Sequence, residues 1–230
     1  MMSYNARVKP NVFPLFFFLV LLHITALVGI FYYPPTLTLV LLALLYAHFV
    51  QGLGVTLGYH RLLAHRSFEF KYKWLERFFV TLACCGIQGG PIWWSSIHRL
   101  HHQFSDTPQD PHDSRKGFWY SHFMWLLYLD PRWKMPSNPH NYGERVKDIY
   151  SDPYYRFLDH WFLFPWVISL FIFYLVGGWA WVLWGGFVSF LYHHHVTWAV
   201  NSVSHRFGYR TFKTKPNTDL STNNWLVGLL

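Results

Sequence analysis

The stretch from Trp93 to Asp106 carries histidines at positions 98, 101 and 102. Spacings of three and four residues put these imidazoles on one helix face, because a turn takes 3.6 residues. Imidazole suits zinc, copper, iron and nickel. Two other segments supply more of it: His60 and His65 in Tyr59-His-Arg-Leu-Leu-Ala-His, and Asn201 with His205 in Asn-Ser-Val-Ser-His. Asn201 and His205 are four apart and share a face if one helix runs through both. His60 and His65 are five apart, which on an α-helix turns them from each other by about 140°. They can serve one site only if the helix ends or unwinds between them, and Gly58 and Arg61 point to an end. Six imidazoles and one carboxamide exceed what one tetrahedral ion takes, so the pattern implies two metals.

The elements that must position these groups are those of a membrane protein. Of 230 residues, 52% are hydrophobic, 22% aromatic and only 13% charged, against about 25% charged in soluble domains. The apolar residues fall in runs long enough to cross a bilayer. The net charge of +8 is then a membrane-surface feature and not a nucleic-acid footprint. Cys84 and Cys85 are adjacent, too strained a pair for a disulfide framework, and read as small core residues.

Residues 13–33 and 36–59 form two apolar runs joined by Pro34-Pro35, a hairpin and not a cleavable leader. Residues 161–176 and 179–200 form a second pair joined by Gly177-Gly178, with the last helix running on to His205. Between the hairpins, residues 60–160 make a cap rich in charge, proline and histidine. In it, Trp74 to Ile92 reads as one interfacial or re-entrant helix, Phe104 to Arg115 as a polar loop and Phe118 to Leu129 as an aromatic interfacial helix. Residues 130–153 read as loop with a short helix near Glu144. Two Lys/Arg precede the first run, thirteen lie in the cap, four follow the last run and none lies in either tight turn. The positive-inside rule therefore puts both termini and the cap in the cytoplasm. The fold class is all-α and integral to the membrane, multi-pass, with four transmembrane helices and a cytosolic helical cap. All six box histidines then lie on one side. Two histidine-held metals there point to oxygen activation on a lipid chain; soluble di-iron bundles use Glu-x-x-His pairs, and none occurs. Of the other histidines, His23 and His48 read as structural, and His122, His140 and His160 as surface or interfacial. His193 and His194 lie inside an apolar run, where polar groups are costly, but lack box spacing.

These three boxes together resemble the membrane fatty-acid desaturases of the stearoyl (Δ9) type, from about Gly52 to Leu226. The resemblance implies a four-helix stem with a cytosolic cap, and two iron ions held by His60, His65, His98, His101, His102 and His205, with Asn201 acting through water. It implies a bent acyl tunnel fixed by Gln88, Trp94 and Thr197, with Trp198 beside them, and a loop carrying Asp110 and His112 just outside the metals. O2 is the co-substrate. Electrons come from a separate ferredoxin or cytochrome b5-like donor. Two hydrogens leave adjacent carbons of a saturated acyl chain, giving a cis double bond.

Two departures from the family pattern matter. A further His-x-x-His-His box is expected soon after Leu230, where the sequence stops, so the chain as it stands is expected to be a fragment that binds iron poorly and is inactive. Where acyl-CoA desaturases carry an Arg-Asp pair, this chain has Ser96-Ile97, which favours an acyl-lipid over an acyl thioester. The rivals are a di-iron lipid or alkane hydroxylase, and a non-enzymatic membrane haem or metal carrier.

Overall fold

A computed structural model describes residues 13–128, 143–212 and 220–229. The described residues are mainly helical, with no strand beyond an isolated antiparallel bridge between Tyr209 and Asn223. Among the described residues, three helices are long and apolar enough to cross a membrane: Phe13–Tyr32, Leu37–Ala64 and Phe164–Ser202. Their outward residues are apolar too; Phe17 is 71% exposed, Phe171 61% and Leu175 67%, a surface that only a lipid-like surrounding stabilises.

Helix α1 is Phe13–Tyr32. Helix α2 begins at Leu37, capped by Thr36, whose hydroxyl accepts the Leu39 amide at 3.3 Å. It is α-helical to His48 and then winds as a π-helix, closed by i→i+5 bonds, over Phe49–Ala64. Helices α3 (Lys73–Cys84) and α4 (Pro91–Phe104) follow. The apolar stretch from Trp74 to Ile92 is therefore two elements and not one. Cys84 closes the first, and a turn with Ile87 at φ 51° and Gly89 at φ 98° separates it from Pro91 at the start of the second. Short helices α5 (Trp125–Tyr128) and α6 (Lys147–Tyr150) continue the cap. Helix α7 (Pro153–His160) was not legible in the sequence; Asp152 caps it by accepting the Tyr154 amide at 2.8 Å. The expected loop and short helix over 130–153 lie partly outside the described residues.

The run Phe164–Ser202 is bent within itself. Helix α8 (Phe164–Trp181) has non-helical backbone at Gly177 and Gly178, the latter at φ 64°. A π segment, Val182–Val188, leads into α9 (Ser189–Ser202). The Trp184 indole donates to Tyr33 O at 2.9 Å, tying the two glycine- and proline-marked turns together. Helix α9 ends at Ser202, so the expected continuation into His205 does not form. The chain there turns away, and Ser204 O accepts the Thr222 amide at 2.6 Å in place of a helical partner. A short helix α10 (Trp225–Leu229) closes the described chain.

The main core packs Tyr59, Val80, Ile92, Trp93 and Trp125 between α2, α3, α4 and the cap. Gly54 and Gly58 let α3 lie directly on the π segment. A Cβ on Gly58 would sit 2.8 Å from Phe79 O, and one on Gly54 2.7 Å from Ala83 N. Those obstacles are backbone and cannot swing aside. Gly58→Leu is therefore expected to abolish the monodisperse peak on size-exclusion chromatography in detergent, whereas Gly52→Ala, with nothing within 4 Å of its Cβ, leaves it in place.

Candidate metal centre

The π segment decides the first half of the site. His65 N donates to His60 O at 2.9 Å, an i→i−5 bond. Residues five apart are then stacked one turn on the other, and the two rings lie 4.4 Å apart. The helix widens and then ends at Ala64, with His65 as its C-terminal cap, so it both unwinds and ends between the two histidines as their spacing requires. Helix α4 crosses here and brings His98, 4.6 Å ring to ring from His60, and His102, 4.5 Å from both His65 and His98. One ligand nitrogen from each of His60, His65, His98 and His102 falls within 4.8 Å of the others.

Arg99, between these histidines in sequence, points the other way. Its guanidinium donates to Leu63 O (2.6 Å) and Ala64 O (3.1 Å), and to both oxygens of Asp148 (2.8 and 2.9 Å). Leu63 and Ala64 end the π segment, where carbonyls lack helical partners. Arg99 satisfies them and so fixes the end of α2 to α4.

The second half forms around the loop after α4. His101 is buried and its Nδ1 lies 2.9 and 3.0 Å from the two oxygens of Asp110. Asp110 also accepts the backbone amides of Asp106 (2.9 Å) and His112 (3.1 Å). The His112 ring lies 4.1 Å from that of His101, and His101, Asp110 and His112 form a second group with metal-ligand spacing. His205 approaches from beyond α9, 6.0 Å ring to ring from His101, with Nδ1 held 3.1 Å from Asp106 Oδ1. Asp106 has φ 55°, a conformation that Asp tolerates better than most residues. With Nδ1 of His101 and His205 each donating to a carboxylate, their Nε2 lone pairs are left free, the arrangement that orients metal-binding imidazoles. His112, which the sequence pattern left outside the metals, is brought into contact with His101.

The electrostatics favour bound cations. Burial lowers the His98 imidazole far below its ordinary value, and the surrounding histidines add to this. Burial, then His101 and His65, bring His102 to about 4; burial and then His101 bring His112 to about 3. These rings are neutral at pH 7 and present lone pairs. Burial raises the Asp106 carboxyl, but the hydrogen bonds from His205, Leu220 N and Ser114 outweigh it and hold it at about 2. His98 Nε2 lies 3.0 Å from Nε2 of His65 and 2.9 Å from Nε2 of His102. Each such nitrogen carries one proton or one lone pair, so mutual hydrogen bonds serve three of them poorly, while one cation takes all three lone pairs. The donor set thus fits imidazole-seeking metal ions.

A cavity of about 380 Å³ opens against this centre, and Gln88, Trp94, His98, Thr197, Trp198 and Asn201 all face it. Its remaining wall is largely apolar, with Leu15, Phe18 and Phe190 among its residues. The Gln88 amide donates to Thr197 Oγ1 (2.9 Å) and to Gln51 Oε1 (3.2 Å), and its oxygen accepts the Trp94 indole N–H at 3.4 Å. Gln51 was missed in the sequence: a lone glutamine in an apolar helix has no spacing signal.

A family model described as fatty acid desaturase matches residues 34–230. The chain is 47% identical over 189 residues to a protein named sn-1 stearoyl-lipid 9-desaturase from Anabaena variabilis, covering 82% of this chain and 65% of that one. It is 38% identical over 225 residues to a Synechocystis protein of the same name, covering 96% and 68%. It is 42% identical over 183 residues to Delta-9 acyl-lipid desaturase 1 of Arabidopsis thaliana, covering 78% and 56%. The chain belongs to the fatty acid desaturase family. It spans about two thirds of the length of its cyanobacterial relatives.

The remaining histidines lie outside these two groups. His48 donates within its own helix to Leu44 O at 2.8 Å, and His160 is exposed. His122 is not at the surface: it is 7% exposed, with Nδ1 2.8 Å from Ser202 Oγ and Nε2 3.1 Å from His195 Nδ1. His195 in turn reaches His23 at 3.3 Å, so these rings link α1, α9 and the π-helical segment Tyr120–Met124 that leads into α5. His193 and His194 are buried, and only His194 faces the cavity. His140 lies outside the described residues.

The two carboxylates that orient His101 and His205 give a test. Asp110→Asn and Asp106→Asn are each expected to weaken metal retention about 10–100-fold, read as metal per protein by mass spectrometry after dialysis against a graded chelator series.

Proposed function

We propose that this chain carries the active site of an oxygen-dependent acyl-lipid desaturase that places a cis double bond at carbon 9 of a saturated chain. One observation carries the reading. Two groups of metal-competent side chains share helix α4, and a mainly apolar cavity ends against His98 of that same helix. The names of the relatives, stearoyl-lipid and acyl-lipid 9-desaturases, supply the substrate class and the position.

In this reading His60, His65, His98 and His102 hold one iron, and His101, His112 and His205 contribute to a second, with Asn201 on the cavity wall acting through water. Irons held there would supply the oxidising power for an O2-dependent removal of two hydrogens, with the electrons coming from a separate ferredoxin or cytochrome b5-like carrier. The balance is one saturated chain, O2, two electrons and two protons giving one alkene and two waters. The protein's residues supply the rest. The apolar wall excludes water, and Gln88, Trp94 and Thr197 place one pair of methylenes beside His98. Geometry alone selects the bond, because no methylene differs chemically from its neighbours. Asp106 and Asp110 hold the ligand rings in one tautomer.

The charge distribution supports four crossings, with Gly177-Gly178 separating the last two, and a cap and termini on the cytoplasmic side. Ser96 is buried, and Ile97 is buried in the cavity wall. Neither offers a charge to a nucleotide head group, which favours a lipid-borne chain over a thioester.

Expression of the full-length gene product in a host lacking Δ9 activity, with gas chromatography–mass spectrometry of its lipids, tests this. Octadecenoate with the bond at carbon 9 in membrane lipid is expected. A hydroxylated chain would select the oxygenase rival, and no new product from iron-loaded protein supplied with an electron donor would overturn the reading.

A further inference from the structure

The polar network behind the cavity contains a residue that does not touch the cavity. Gln51 lies in the π segment of α2, is half-buried and is not among the residues facing the cavity. Its Oε1 accepts from Gln88 Nε2 at 3.2 Å and from Thr197 Oγ1 at 3.1 Å, while Gln88 Nε2 also donates to Thr197 Oγ1 at 2.9 Å. Three side chains from three elements thus close a ring: α2, the turn before α4, and α9.

The orientation of the Gln88 amide in this ring is tied to one group that can only donate. The Trp94 indole N–H points at the Gln88 side-chain oxygen at 3.4 Å. With that oxygen taken, the Gln88 amide must turn its two hydrogens the other way and needs two acceptors. Thr197 is one, but its hydroxyl would serve either orientation of the amide, and it has a second outlet in His193 O at 3.0 Å. Gln51 Oε1 is the other acceptor and the one that discriminates. Remove it, and one Gln88 hydrogen is left without a partner in a half-buried place, a situation that drives an amide to swing or reverse. Reversal would set its NH2 against the indole N–H. Trp94 would then lose its tether, and Trp94 is stacked on His98 with ring centres 4.9 Å apart and planes inclined by 22°. The chain of contact therefore runs from a membrane helix, through the cavity wall, to a metal-competent histidine.

We propose that Gln51 is the positioning residue that orients the Gln88 carboxamide, and through it Trp94, and so sets which methylene pair of the acyl chain meets the metal centre. This deepens the desaturase reading and rests on it. Gln51 acts by its acceptor oxygen and not by its bulk or its amide hydrogens. Gln51→Glu keeps an oxygen acceptor in place. Gln51→Met keeps the length and removes it.

Two measurements on the full-length, iron-loaded protein separate this role from a merely structural one. The first is bond position among the products, mapped by mass spectrometry of dimethyl disulfide adducts. Wild type and Gln51→Glu are expected to give one dominant position, and Gln51→Met at least about a tenfold larger share at neighbouring carbons with metal content unchanged. An unchanged position pattern in Gln51→Met, or an equal spread in Gln51→Glu, overturns the proposal. The second needs no turnover. A 9,10-dibromostearoyl chain quenches cavity tryptophans, and its displacement by cis-9 and trans-9 octadecenoyl lipids reports how firmly the cavity demands a bend. Wild type should prefer cis, and Gln51→Met should lose that preference. Equal cis preference in both overturns the role of Gln51. If wild type shows the cis preference, Gln51→Met loses it and no alkene forms in either, the desaturase reading fails while the positioning role of Gln51 stands.

Discussion

Five residues separate His60 from His65, and an α-helix would point them apart by about 140°. The i→i+5 winding of Phe49–Ala64 removes that divergence, and the rest of the site depends on it. A π-helix is a poor structure in isolation and is usually confined to single turns at functional sites. Here it persists for 16 residues because its neighbours hold it. Helix α3 lies on the Gly54–Gly58 face at backbone contact, and Arg99 satisfies the carbonyls of Leu63 and Ala64. The same arginine belongs to α4, which carries three of the box histidines. One side chain thus ties two ligand segments together without belonging to either group of metal-competent side chains.

Helix α4 is held equally firmly at its other end. Asp159 of α7 accepts the amides of Ile92 and Trp93 at 2.9 and 3.0 Å, taking the place of a local N-cap, and burial raises its carboxyl to about 6 despite those two bonds. Gly90 allows the approach, since a Cβ there would lie 2.4 Å from Asp159 Cα. Tyr59, fully buried, donates to Gly89 O at 3.0 Å. The strained turn at Ile87 to Gly89 is therefore pinned from two sides, and it is this turn that presents Gln88 to the cavity. The firm hold on α4 and the shape of the cavity share one cause.

The centre divides the labour of its polar groups. The rings of the first group are exposed or half-exposed, at the cap side of the cavity, whereas His101, Asp110 and His112 are buried. Asp106 and Asp110, in the loop after α4, each accept from backbone N–H as well as from a histidine. Those extra bonds offset the cost of burying a charge, so Asp106 and Asp110 remain anionic where they can polarise imidazoles.

Much was legible in the residues alone. Apolar runs and the paired prolines mark out helices long and apolar enough to cross a membrane, because hydrophobic length and backbone breakers act locally. Box spacing located the metal-competent side chains because three- and four-residue intervals share a helix face whatever surrounds them. The tertiary structure decided what no local signal encodes. It widened α2 so that His60 and His65 meet, ended α9 at Ser202, drew His112 beside His101, and enlisted Gln51 through partners 37 and 146 residues away. Those outcomes follow from which distant groups compete for each hydrogen bond, and that competition exists only once the chain is packed.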